Sequence, residues 1–238
     1  MLCERKPYES PEMLGALGDA VRPGGLDLTR RALEHCAFTA GQRVLDIGCG
    51  SGATVGLMMH KYDLDASGID LSETAIASGL RRSPGLPLQV ADGRNLPFGD
   101  GDMDGVIMEC TLTATGDTDS TLSEAFRVLK RGGRLAVSDM YLRATTEKPP
   151  SSVLLPCLEG AVDREKTVRD LEHAGFRLRL WEDQSDLLKE LATRIIMKYG
   201  SLSAFWSKAC GDSECRDTPS LNGAYRNYGY YLAIAQRL

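Results

Sequence analysis

An aspartate interrupts an otherwise aliphatic run. In Arg43-Val44-Leu45-Asp46-Ile47-Gly48 the neighbours of Asp46 are apolar, so a short buried strand would carry a carboxylate into the core. Such a group is costly there unless it has partners, which marks Asp46 as functional or turn-stabilising. The glycines follow at once, as Gly48-Cys49-Gly50-Ser51-Gly52, and a helical stretch covers 53–61. A glycine turn between a strand end and a helix start lets backbone approach a ligand closely and aims the helix amides at it. Asp70, twenty residues beyond Gly50, ends a second strand at 65–70, where a carboxylate is placed to accept two ribose hydroxyls. Gly48-x-Gly50-x-x-Ala53 with Asp70 fits a dinucleotide fingerprint as well as a site for S-adenosylmethionine (SAM), and these residues alone leave both open.

Two later pairs lengthen the set. Asp92-Gly93 follows a third strand at 86–91, ahead of the apolar turn Leu96-Pro97-Phe98, and Glu109-Cys110 closes a fourth strand at 103–110. The elements that must position these residues alternate. Ser72, an N-cap with Glu73 behind it, opens a helix at 74–82. The stripe Leu122, Ala125, Phe126, Leu129 predicts a helix at 120–130, and Gly132-Gly133 introduces a fifth strand at 134–141. Strands alternating with helices predict an α/β fold, a parallel sheet covered on both faces. Beyond Pro149-Pro150 the reading is a helix at 164–174, a strand at 176–182, one long amphipathic helix at 185–208 inserted over the site edge, and a terminal strand at 229–236. Upstream, helices at 13–20 and 26–36 are joined by Arg22-Pro23-Gly24-Gly25, a hinge for a helical lid over 1–40 closing on a domain of 41–238.

Composition narrows the function classes. The 238 residues suffice for one sizeable core. A net charge of -5 and a pI near 5.3 give no global drive toward polyanions, which argues against nucleic acid as substrate. No run reaches the ~18 apolar residues of a membrane span and no apolar leader segment opens the chain, so a cytoplasmic protein is expected. The seven cysteines lack paired zinc-ribbon spacings and read as free thiols, and no metal-ligand spacing or Ser/His/Asp set competes. His35, His60 and His173 fall on expected helices as surface residues.

From Val44 to Tyr141 the chain resembles the core of class I SAM-dependent methyltransferases, in the type 11 branch that includes quinone-biosynthesis and arsenite methyltransferases. The resemblance rests on five elements in order: Val44-Leu45-Asp46-Ile47-Gly48-Cys49-Gly50-Ser51-Gly52, Asp70, Asp92-Gly93, Glu109-Cys110, and Phe126-Arg127-Val128-Leu129-Lys130-Arg131-Gly132-Gly133. It implies a Rossmann-like sheet, mostly parallel with an antiparallel C-terminal strand, and SAM as cofactor with S-adenosylhomocysteine (SAH) as product. It further implies that Asp46, Gly48, Cys49 and Gly50 hold the methionine end, that Asp70 takes the ribose with Leu71 against the adenine, and that Asp92 and Gly93 meet the adenine amino group. Glu109 and Cys110 then open toward methionine and acceptor, Glu109 as an orienting group or base.

The acceptor is read as a small molecule methylated by direct displacement. In arsenite methyltransferases cysteine thiolates hold the acceptor, and Cys157-Leu158-Glu159-Gly160-Ala161 with Cys210 resembles two such cysteines, which makes Cys157 a candidate catalytic residue. Against it, 53–61 holds no cysteine where that family places one, and Cys157 reads equally as a small packed residue, Cys210 and Cys215 as residues of a polar loop. A protein or RNA methyltransferase and a non-catalytic SAM-binding module are the other readings.

Overall fold

In the structure, a computed structural model, residues 22–143, 156–210 and 227–238 are described, with the side chains of Pro156, Cys157 and Cys210 excepted. The chain runs α1 (Gly25–Cys36), β1 (Arg43–Ile47), α2 (Ala53–Tyr62), β2 (Asp65–Asp70), α3 (Glu73–Arg82), β3 (Leu88–Val90) and β4 (Met103–Glu109). A 3-10 turn (Leu112–Ala114) leads to α4 (Thr118–Val128) and β5 (Leu129–Leu142). Then come a short turn α5 (Pro156–Glu159), α6 (Arg164–His173), β6 (Phe176–Asp183), α7 (Ser185–Tyr199), α8 (Leu202–Cys210) and β7 (Tyr228–Arg237).

The seven strands form one sheet in the order β3-β2-β1-β4-β5-β7-β6. Pairings from β3 to β5 are parallel, and β7 runs antiparallel between β5 and β6. The Rossmann-like sheet with its antiparallel C-terminal strand is therefore present as the sequence predicts. Side-chain alternation sends Val44, Ile107, Ala136 and Tyr230 to a core under α1 and α2, and Leu45, Val106, Val137 and Tyr231 to a second core under α4 and α6.

One element differs. The single helix expected at 185–208 is two helices, because Gly200 takes φ 85 and its N–H bonds the Ile196 carbonyl, ending α7 one turn before Leu202 opens α8. A left-handed glycine closes a helix without Cβ strain, a stop signal that the apolar periodicity of the segment conceals. The helix expected at 13–20, Cys3 and Cys215 lie outside the described residues, as do the side chains of Cys157 and Cys210. Among the described residues no helix is long and apolar enough to cross a membrane, and no cluster of His, Cys, Asp or Glu could hold a metal ion.

Candidate active site

Three acids gather on one face of the sheet at the carboxyl ends of β2, β1 and β4. Asp46 shares its face with Val44, and pairing sets it beside Ile107 on β4, two residues before Glu109. Asp70 follows Gly68 on the same face of β2, and Gly68 lies opposite Asp46. This is the edge at which parallel α/β sheets present ligand sites.

The glycine turn is fixed by one of these acids. Asp70 Oδ2 accepts the Gly50 N–H at 2.8 Å and Oδ1 accepts the Ser72 N–H at 2.8 Å, so the carboxylate braces both the turn and the start of α3 while leaving further lone pairs on each oxygen. Gly48 has φ 78, and a Cβ there would lie 2.1 Å from Thr111 Oγ1; Gly50 has φ 54, and a Cβ there would meet none of the described residues within 4 Å. The first glycine is needed for close packing. The second faces open space, which suits backbone meant to approach a ligand. Cys49 is buried, and desolvation, with Asp46 and Asp70 nearby, pushes its thiol pKa far up, so it packs as a neutral side chain.

Asp46 and Glu109 differ in their surroundings. Glu109 is buried, and its Oε1 accepts Thr29 Oγ1 at 2.9 Å from α1, its Oε2 accepts Thr54 Oγ1 at 2.9 Å from α2, and Arg22 Nη2 lies 2.7 Å from Oε2. Asp46 is also buried, yet among the described residues no donor reaches its carboxylate. Desolvation first, then Glu109 and Asp70, raise the Asp46 pKa well above the carboxylate range, against the pull of Arg22. Burial works against the Arg22 charge as well, but Glu109 above all, with Tyr230, Asp46 and Cys110, offsets this and its pKa is raised. No pattern in the sequence singles out Arg22, Thr29 or Thr54 as site residues. Only the Arg22-Pro23-Gly24-Gly25 hinge points to the segment.

Next to Glu109, Cys110 takes the left-handed φ of 53, which few non-glycine residues adopt outside sites that over-determine the backbone. Its Sγ lies 3.2 Å from Tyr230 Oη, which donates to Ser138 Oγ at 3.2 Å. Along the adenine side of the expected site, Leu71 is 57% exposed, and buried Gly93 leaves no room for a Cβ, which would lie 2.8 Å from Ile47 Cγ2. Asp92 is held by Arg94 in a forked contact of 2.7–3.1 Å, which depresses its pKa.

Comparison with protein families matches residues 45–137 to the family described as "Methyltransferase domain", type 11. Residues 45–137 of this chain are a methyltransferase domain. Among curated relatives, phosphoethanolamine N-methyltransferase 1 of Arabidopsis thaliana is 31% identical over 73% of this chain and 36% of its own length. The methyltransferase GfsG of Streptomyces halstedii is 31% identical over 65% of this chain and 56% of its own. Demethylmenaquinone methyltransferase of Corynebacterium kroppenstedtii is 29% identical over 87% and 92%. The chain thus spans about a third to a half of the first two relatives. Among solved structures, phosphoethanolamine N-methyltransferase 2 of Haemonchus contortus, with phosphomonomethylethanolamine and SAH, superposes with a TM-score of 0.77 at 21% identity, covering 95% of this chain and 56% of that one. The [4+2]-cyclase SpnF superposes at 0.67 and 24% identity, covering 89% and 80%. Since a cyclase shares the fold, the fold by itself does not choose the reaction.

Proposed function

We propose that the methyltransferase domain transfers a methyl group from SAM to a small-molecule acceptor by direct displacement, under a lid formed by residues 1–40. The observation that carries this reading is the roofed acid cluster: Thr29 on α1 and Arg22 just before it bond Glu109 directly at the end of β4, and Leu187 on α7 packs against Gly24. A site covered by two helices at that range suits a compact acceptor better than a macromolecular groove. The relatives named for phosphoethanolamine and demethylmenaquinone support a small acceptor.

The residues fit the cofactor. Asp46, buried and with no donor among the described residues, suits a cationic ammonium; Asp70 has lone pairs left for ribose hydroxyls; Gly50 lets its backbone come close; exposed Leu71 offers an apolar surface to adenine, with Asp92 and Gly93 alongside. SAM supplies a methyl group already activated on a sulfonium, so the protein needs chiefly to align the acceptor and exclude water. Glu109, held by Thr29, Thr54 and Arg22, orients groups at the mouth of β4, with Cys110 beside it.

The test is transfer of labelled methyl from SAM into a host-cell extract, fractionated into small molecules, protein and nucleic acid. Asp70→Asn is the blank, because Asp70→Ala would also release the glycine turn that Asp70 braces. Label confined to small molecules is expected; label in protein or RNA, or no transfer by a chain that binds SAM, overturns the reading.

A further inference from the structure

The roofed cluster contains two unmet demands of opposite sign. Arg22 has a side chain about nine-tenths buried, and its Nη2 is engaged with Glu109, Thr29 and Thr54, but among the described residues its buried Nε–H has no acceptor. Asp46 in the same cluster is buried, and no described residue donates to its carboxylate. A buried unpaired donor on a cation and a buried unpaired carboxylate each cost stability, and neither pairs with the other. The group that relieves both at once carries an anion and a cation a few bonds apart, as the zwitterionic end of an α-amino acid does. We infer that Arg22 is a cofactor-binding residue that reads the carboxylate of the methionine moiety, while Asp46 takes its ammonium. This rests on the SAM reading and adds to it a residue outside the sheet.

The arrangement also explains why Glu109 is held so firmly. Its ion pair to Nη2, with the two threonine hydroxyls that take both Nη2 protons, fixes the guanidinium plane and leaves the Nε–H pre-organised to donate to one carboxylate oxygen. Arg22 lies on the hinge before α1, so occupation of the site would tie the lid to the cofactor. Glu109 in this scheme is a positioning residue for Arg22.

The experiment is calorimetric binding to the full chain with three ligands: SAH, decarboxylated SAH, which lacks only the carboxylate, and 5′-methylthioadenosine, which lacks the amino-acid end. The native chain is expected to prefer SAH over its decarboxylated analogue by about tenfold or more, the scale of one buried charge-assisted contact. In Arg22→Gln that preference should shrink to within about threefold, while 5′-methylthioadenosine binds as before and so shows that the fold is intact. Arg22→Lys should restore part of the preference. Equal weakening of SAH and decarboxylated SAH in Arg22→Gln would make Arg22 a latch only and overturn the inference, as would no weakening of either. Failure of the native chain to bind SAH or SAM at all would instead overturn the cofactor reading beneath it.

Discussion

Two aspartates, each buried in a strand, stand on opposite faces of this sheet and are treated in opposite ways. Asp139 on β5 faces the core under α4 and α6, where its carboxylate accepts Thr113 N–H at 3.0 Å, Thr113 Oγ1 at 2.6 Å and Met140 N–H at 2.7 Å. Those donors, with a further one from Leu112, hold its pKa to about 6 although burial pushes it up. Asp46 on β1 is also buried, has no donor among the described residues, and lies beside two further acids. One carboxylate is a finished structural part that ties the turn after β4 to β5. The other finds no donor among the described residues. The lesson is that burial alone does not mark a functional acid; the balance of donors around it does.

The sharpest way to break this contrast is to delete each carboxylate and compare stabilities. Asp139→Ala strands buried donors at Thr113 and Met140 and should cost about 3 kcal/mol, a fall in Tm of roughly 10 °C for a chain of this size. Calorimetric unfolding checks it, and a loss under about 1 kcal/mol would place Asp139 among ordinary surface-like acids. Asp46→Asn carries the opposite expectation for the ligand-free protein. It replaces a desolvated carboxyl group that would be charged only against Glu109 and Asp70, so Tm should hold or rise by about 2 °C, while affinity for SAM falls tenfold or more as the ammonium loses its counter-charge. Destabilisation of the ligand-free chain by Asp46→Asn would mean that Asp46 is structural after all.

The Asp46 side of this comparison is largely legible in the sequence. The apolar run around Asp46, the glycines and the strand-end spacing of Asp70, Asp92 and Glu109 are local signals, and a parallel sheet brings strand ends together whatever the details of packing. Asp139 and Arg22 are not legible in the same way. Asp139 follows a serine in a strand and meets its partner Thr113 from 26 positions earlier in the chain. Arg22 reaches Thr54 and Glu109 across the cluster, in contacts made by tertiary packing with no periodic trace in sequence. The break at Gly200 is hidden because the helical stripe resumes at Leu202, so a single left-handed residue decides what a sum over side chains does not.

The pH profile of stability gives the smallest effect and the finest separation of the two acids. Asp139 holds its proton in the fold up to about 6 and releases it near 3.8 when unfolded, so between those values the folded state binds more protons than the unfolded one. Stability from this group is therefore fully present below about 4 and is lost as pH rises through about 6. Asp46 acts in the same direction, its folded pKa being raised by desolvation first and then by Glu109 and Asp70, against Arg22. Paired carboxylates such as Asp92, Asp104 and Glu182 run the other way, but their pKa values are depressed, so their losses come below the ordinary carboxylate range and leave the window above it clear. Urea unfolding from pH 4 to 8 should thus show a decline that loses its step near pH 6 in Asp139→Asn and is reduced independently in Asp46→Asn. Adding SAM to the native chain should erase the Asp46 contribution alone, because an ammonium beside Asp46 favours its charged form and releases the proton that the empty fold retains. Loss of the Asp139 step on adding SAM would couple Asp139 to the ligand and dissolve the distinction between the two faces.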